Sequence, residues 1–397
     1  MINLYIKESQ RSKNIQCNIF QELSMQKQQL IEDGKKVFDF SIGTPDFAPS
    51  KYIVDAFKSA CDNPENFKYA LHDLPELIDA VKYHYNKRFG VKLTDKQIIS
   101  AQGSQDIISH IALSICDVDD VILVPDPGYP SFSTVTKLMG VDIYKYPLYE
   151  KDNFILNLKN IPDEVADKAK FIIICYPSNP TGSVPEDSFY DELISWAKNH
   201  DIIIIHDSAY IDITFFEKDR KSFLSYKGAN EVGVELYSLS KTYNLTGARI
   251  AFMVGNEDIV QSFKKVKSQI DYGIFLPVQY AAIAALTCPQ HDVYTQCAIY
   301  SERRRILCSE LSKIGWYVPL SAGGIFVWAH IPKTFKMNSE QFAQKLMKQT
   351  GIIVVPGIAF GEMGEGYVRF SVVLDKNIIK QAISVLEHSE FWRAEDD

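Results

Sequence analysis

The sequence predicts an α/β fold with a mostly parallel sheet, and three observations carry that prediction. Continuous apolar runs, Phe-Ile-Ile-Ile-Cys at 171–175 and four isoleucines at 202–205, have the composition of strands buried on both faces. Stretches with helical spacing separate such runs throughout residues 97–254. Polar or charged residues follow each strand directly, at the end where open α/β sheets bind ligands.

Composition bounds the function. The 397 residues suffice for a large core and two domains. A net charge of −8 argues against nucleic acid and anionic membranes as partners. Seven cysteines without C-x-x-C spacing or a His-Cys cluster imply reduced thiols and no metal site. The start of the chain turns polar too early for a signal peptide, and no apolar run is long enough to span a membrane, so a cytoplasmic location is expected.

In chain order, residues 15–33 place Ile19, Phe20, Leu23 and Leu30 at helical spacing. Residues 37–43 alternate like a strand and end at Gly43, before Thr-Pro-Asp. Residues 51–60 and 74–87 read as helices on either side of Tyr69. A strand at 97–100 leads to Gly103, a turn residue, and Ser104, a helix N-cap ahead of Ile107, Ile108 and Ile111. A glycine turn opening a helix presents free N–H groups and a positive dipole end, which together suit an anion. The strand at 121–124 runs into Pro-Asp-Pro-Gly-Tyr-Pro, a rigid turn that aims Tyr129. The strand at 171–175 ends in Tyr-Pro-Ser-Asn-Pro-Thr-Gly, which carries Asn179. After a helix at 188–199, the isoleucine strand ends in His206, read as structural, and Asp207, with Tyr210 three residues on. A carboxylate at the mouth of an apolar strand requires a partner.

Residues 234–254 are the centre of the chain. Two strands flank a loop holding Ser238, Ser240, Lys241 and Arg249. Burial lowers a lysine's pKa, and a neutral amine attacks carbonyls to form Schiff bases. A guanidinium fork with two hydroxyls suits a phosphate dianion. Ser238 and Lys241 also fit the Ser-x-x-Lys of penicillin-binding hydrolases, but the partner motifs of that family are missing. Helical residues 258–285 are interrupted near Gly273 and Pro277, and a helix at 292–314 leads to strands at 322–329, 351–355 and 366–371. Arg369, central in the last strand, calls for a carboxylate.

These motifs resemble the class I/II aminotransferases, fold-type I pyridoxal-phosphate enzymes, over residues 15–390. The resemblance implies a large domain at 48–287 with a mostly parallel seven-stranded sheet flanked by helices. A smaller α+β domain would be made of 1–47 and 288–397. It implies that Lys241 is the Schiff-base lysine and that Gly103, Ser104, Gln105, Ser238, Ser240 and Arg249 hold the cofactor phosphate. Tyr129 would stack on the pyridine ring, Asn179 and Tyr210 would donate to its phenolate oxygen, and Asp207 would pair with its ring nitrogen. Arg369, Gly43 and Asn179 would bind the substrate carboxylate. Tyr69 would reach the phosphate of the other subunit in a homodimer, although Leu-His-Asp-Leu-Pro at 71–75 stands where the family usually has a glycine.

The implied activity is a ping-pong transfer of an amino group from an L-amino acid to a 2-oxo acid. The texture is closest to the alanine, methionine and LL-diaminopimelate aminotransferase branch. With no arginine among Tyr272, Ile274, Phe275 and Leu276, where that branch lines the side-chain pocket, and with Asn18 and Phe20 as further lining, a neutral donor such as alanine or methionine is expected. LL-diaminopimelate or aspartate is the alternative donor. A carbon–sulfur lyase on the same fold and a non-enzymatic cofactor-sensing regulator are the alternative functions.

Overall fold

Isoleucine-rich runs bury both faces of the central sheet of the computed structural model, which describes residues 7–13, 19–215 and 221–393. Its strands are β1 (Phe38–Asp39), β2 (Ile98–Ala101), β3 (Val121–Asp126), β4 (Asp142–Pro147), β5 (Ala169–Cys175), β6 (Ile203–Asp207), β7 (Gly233–Ser238), β8 (Ala251–Gly255), β9 (Phe326–His330), β10 (Ile352–Ile353), β11 (Val355–Pro356) and β12 (Tyr367–Ser371). Seven of them form the large sheet, in the order β2-β8-β7-β6-β5-β3-β4. Only β8 runs against its neighbours there.

The side-chain period of two explains the apolar runs. In β5, Ile172 and Ile174 point into one core, and Phe171, Ile173 and Cys175 point into the other. Helix Ser104–Ile115 covers one face with Ile107, Ile108 and Ile111. Helices Pro75–Phe89, Asp187–His200 and Leu276–Thr287 cover the opposite face. Glu235 is fully buried in β7 and accepts hydrogen bonds from Tyr85 Oη (2.7 Å), Ser222 Oγ (2.9 Å) and the Phe223 amide (2.7 Å). His206 packs beside this group, with Nε2 3.1 Å from the Tyr176 carbonyl oxygen.

Register sets the site. Ala101 and Ser238 both pair with Ala251, so the ends of β2 and β7 and the start of β8 lie in one row. Asp207 pairs with Cys175 and with Leu236 in the adjoining strands. The chain segments that leave β2, β5, β6 and β7 and enter β8 therefore meet at one edge.

The chain ends build a second assembly. β1 pairs parallel with β10, and β11, β12 and β9 form an antiparallel sheet. Three sequence readings change here. The alternating stretch at 37–43 is paired over only two residues, because Ser41 and Gly43 turn their carbonyl oxygens to Arg369 and Lys241. The stretch at 351–355 splits into β10 and β11, which belong to different sheets. The edge strand β4 had no apolar run to mark it, since five of its six residues are charged, tyrosine or proline on the pattern Asp-Ile-Tyr-Lys-Tyr-Pro. The break at 271–275 separates helices Glu257–Ile270 and Leu276–Thr287. Among the described residues, no helix is long and apolar enough to cross a membrane.

Candidate active site

A cavity of about 500 Å³ opens where these strand ends meet the second assembly. Lys241 lies on the short helix Leu239–Thr242, which Ser238 caps by accepting the Ser240 amide at 3.2 Å. That capping uses the Ser238 oxygen as acceptor and leaves its O–H to donate. Lys241 Nζ donates to the Gly43 carbonyl oxygen at 2.7 Å. Burial, with Arg369 and Arg249 nearby, lowers Lys241 to about 8, and Asp207 partly opposes the shift. An amine so placed is the right species for carbonyl attack near neutral pH.

An anion cradle adjoins it. Gly103 has φ +90°, and a Cβ there would lie 2.4 Å from Arg249 Nη2, so only glycine admits the guanidinium. Arg249 itself has a left-handed backbone, φ 53°, which folds its side chain back to donate to Thr246 O (3.0 Å) and Gln102 O (3.3 Å). The open N-terminus of helix Ser104–Ile115 adds backbone N–H groups, and Ser104, Gln105, Ser238 and Ser240 line the same region. Gly103 itself stands behind Arg249 rather than on the cavity surface.

Asp207, 6% exposed, is pushed up to about 6 by burial, against the Ala209 amide and the nearby charges of His206 and Lys241. A cationic N–H partner would satisfy this carboxylate. Tyr129, Asn179 and Tyr210 line the cavity between Asp207 and Arg369. Burial raises the Tyr210 phenol well above its usual range, so it stays a donor. Arg369 is 1% exposed, donates to Asn179 Oδ1 and to Ser41 O, both at 2.8 Å, and lies over the Phe326 ring at 4.0 Å. With its oxygen so engaged, Asn179 keeps its NH₂ for the cavity. Arg369 Nε is buried without a hydrogen-bond partner, which leaves a donor for an incoming carboxylate. Burial lowers Arg369 to about 10, and it remains charged at neutral pH.

The donor set fits pyridoxal phosphate. It offers a buried amine for the aldehyde, a glycine-and-arginine cradle for the phosphate, a carboxylate for the ring nitrogen, and Asn179 and Tyr210 as donors for the phenolate. The structure thus gathers the residues predicted for the cofactor and the carboxylate, with Gly103 just behind Arg249, but not Tyr69 or the predicted side-chain lining at 272–276. Tyr69 lies outside the cavity, 80% exposed, with its ring 4.8 Å from that of Tyr272. Phe275 is also outside the cavity, beside Phe67 at 5.5 Å, and Ile274 is buried elsewhere. Phe20 lines the cavity, and Asn18 falls outside the described residues.

Sequence reasoning missed several polar lining residues, among them Ser24 and Lys27 on helix Ile19–Glu32, and Asp39 and Ser41 on and beyond β1. The strand alternation could have found two of them, because Asp39, Ser41 and Gly43 share a period-two face opposite Phe38 and Phe40. Nothing local marks Lys27.

A family model described as aminotransferase class I and II matches residues 35–386. An LL-diaminopimelate aminotransferase of Halothermothrix orenii is 36% identical over 387 residues, covering 97% of this chain and 99% of the relative. One of Aquifex aeolicus is 39% identical over 94% of this chain and 97% of the relative. Among solved structures, substrate-bound BacF from Bacillus subtilis superposes with a TM-score of 0.93 at 31% identity, covering 96% of this chain and 98% of that one.

The Lys241 environment predicts a pH profile. With the amine at about 8, roughly 300 times as much of it is neutral near pH 7 as for a lysine at 10.5. Acylation of Lys241 in cofactor-free protein, followed by peptide mass spectrometry, should rise to half-maximum near pH 8. A midpoint near that of surface lysines would contradict the desolvated amine.

Proposed function

The chain belongs to the class I and II aminotransferases, which are pyridoxal-phosphate enzymes, and we propose that within this family it uses LL-diaminopimelate as amino donor and a 2-oxo acid as acceptor. The single observation that carries the donor is the curated relatives' shared activity at 35–39% identity over nearly the whole chain. The expectation of alanine or methionine rested on an apolar side-chain pocket. The cavity wall that remains after the cofactor residues are set aside is mixed, with Phe20, Ile42 and Phe326 beside the polar Ser24, Lys27, Asp39 and Ser41. The charged pair in that wall and the activity of the relatives both favour the alternative donor, LL-diaminopimelate, over the neutral one.

In this reading Ser104, Gln105, Ser238, Ser240 and Arg249 hold the phosphate, with Gly103 admitting the Arg249 fork. Tyr129 covers the ring, Asp207 keeps the ring nitrogen protonated, and Asn179 and Tyr210 donate to the phenolate oxygen. Bound pyridoxal phosphate supplies a carbonyl for amine exchange and an electron-withdrawing ring. Arg369 binds the donor's α-carboxylate, aided by Asn179, and so turns Cα toward the cofactor. Lys241 would act as the general base that takes the proton from the donor's Cα. The lowered pKa of Lys241 suits both directions of that transfer. Its hydrogen bond to the Gly43 carbonyl oxygen, two residues from the Ser41 oxygen that Arg369 contacts, supports this reading.

The active unit in this reading is a homodimer. Phe67 packs on Phe275 and Tyr69 on Tyr272, and these rings with Leu71 are 40–80% accessible each, an exposed apolar group that supports a second copy as partner. Such a partner would carry Tyr69 and Tyr272 to the other cavity.

Two outcomes check this. In a donor panel at fixed 2-oxoglutarate, with glutamate as readout, LL-diaminopimelate should exceed alanine, methionine and aspartate by roughly tenfold or more in kcat/KM; a lead by alanine or methionine would overturn the donor reading. Mixing inactive Tyr69→Ala and Lys241→Ala proteins should restore part of the activity through hybrid sites. A fully active monomer in sedimentation would contradict the dimer.

A further inference from the structure

The charges of the cavity do not all have a task. Among its described lining residues the cations are Lys27, Lys241, Arg249 and Arg369, and the anions are Asp39 and Asp207. The cofactor and the α-carboxylate engage Lys241, Arg249, Arg369 and Asp207. One cation and one anion remain, and they touch each other: Lys27 Nζ lies 2.9 Å from Asp39 Oδ2.

Local structure aims both groups inward. Phe20, Ser24 and Lys27 sit at i, i+4 and i+7 of helix Ile19–Glu32, on the face toward the cavity. The adjoining side buries Leu23 and Leu30 against Trp328, Met347 and Ile353, so the helix is docked without the ion pair. Asp39 shares the cavity face of its strand with Ser41, whose amide and hydroxyl donate to Oδ1 at 3.0 and 2.6 Å. Ser41 O in turn accepts from Arg369 Nη2 at 2.8 Å. A single wall thus runs from the carboxylate-binding guanidinium through Ser41 to Asp39 and Lys27. Two residues along an extended strand span roughly 6.6 Å, which suits a donor whose two amino-acid heads are separated by three methylenes. With Lys27 only 32% and Asp39 10% exposed, the pair is partly withdrawn from water and lines the cavity. A partly exposed pair of this kind adds little stability on its own.

We propose that Lys27 and Asp39 are specificity-determining residues for the distal end of the donor, Lys27 binding its distal carboxylate and Asp39 its distal ammonium. The opposite charges of the pair match the zwitterionic head with no change in net charge. A donor with a short distal carboxylate, such as aspartate, does not reach Lys27. The proposal rests on the donor reading given above and supplies the residues for it.

The test uses cofactor-loaded enzyme and variants Lys27→Met and Asp39→Asn, which keep size while removing charge. Four donors are compared: LL-diaminopimelate, L-2-aminopimelate with the distal carboxylate alone, L-lysine with the distal ammonium alone, and L-norleucine with neither. The readout is each donor's kcat/KM divided by that for norleucine in the same protein, which cancels any loss of folded or loaded enzyme. Lys27→Met should lower the aminopimelate ratio by roughly tenfold or more, and Asp39→Asn the lysine ratio similarly, with the LL-diaminopimelate ratio falling in both. Ratios that stay within about twofold in both variants, while the parent enzyme still favours LL-diaminopimelate, overturn the pair and leave the donor reading standing. The charge-specific losses in an enzyme that rejects LL-diaminopimelate itself would support the pair and overturn the donor reading.

Discussion

The structure depends on one electrostatic constraint, the gathering of Lys241, Arg249 and Arg369 around a buried cleft that holds Asp207 as the main counter-charge on that side. Burial and the two arginines hold Lys241 down at about 8. Arg369 is clamped between Asn179 and Ser41 and stacked among Phe326, Phe360 and Phe20, yet keeps a buried N–H without a partner. An excess of positive charge in a low-dielectric site is costly until anions enter it. A phosphate and a carboxylate are such anions, so the site is built for the complex. The sheet supplies the geometry, because β8 runs against its neighbours and starts at the edge where β2, β6 and β7 end.

In the proposed reading, selectivity is carried by other elements. The cofactor residues come from the central sheet, whereas Phe20, Ser24, Lys27, Asp39 and Ser41 come from the N-terminal helix and the strand that joins the second assembly. Arg369, from β12, is the link between the two, since it contacts both Asn179 and Ser41.

Much of the site was legible because its residues stand directly after strands with strong apolar signals. Asn179 and Asp207 follow isoleucine runs, and Lys241 and Arg249 occupy the loop between β7 and β8. What stayed hidden depends on contacts between distant segments. Lys27 is a lysine on an amphipathic helix, and only the docking of Leu23 and Leu30 turns it inward. Asp39 read as part of an alternating strand without a stated partner. The separation of β10 from β11 follows from pairing with β1 and β12, which lie far away in sequence. The alternating stretch at 234–238 read correctly as a strand but gave no sign that Glu235 would be fully buried, because Tyr85 and Ser222 satisfy it from elsewhere.

The central claim is that the desolvated amine of Lys241 is the group that links pyridoxal phosphate to the protein. Borohydride reduction of protein loaded with pyridoxal phosphate, followed by peptide mass spectrometry, tests it directly. The account predicts a single stable pyridoxyl adduct on Lys241, absent from Lys241→Ala. An adduct on another lysine, or none in a protein saturated with the cofactor, would contradict it.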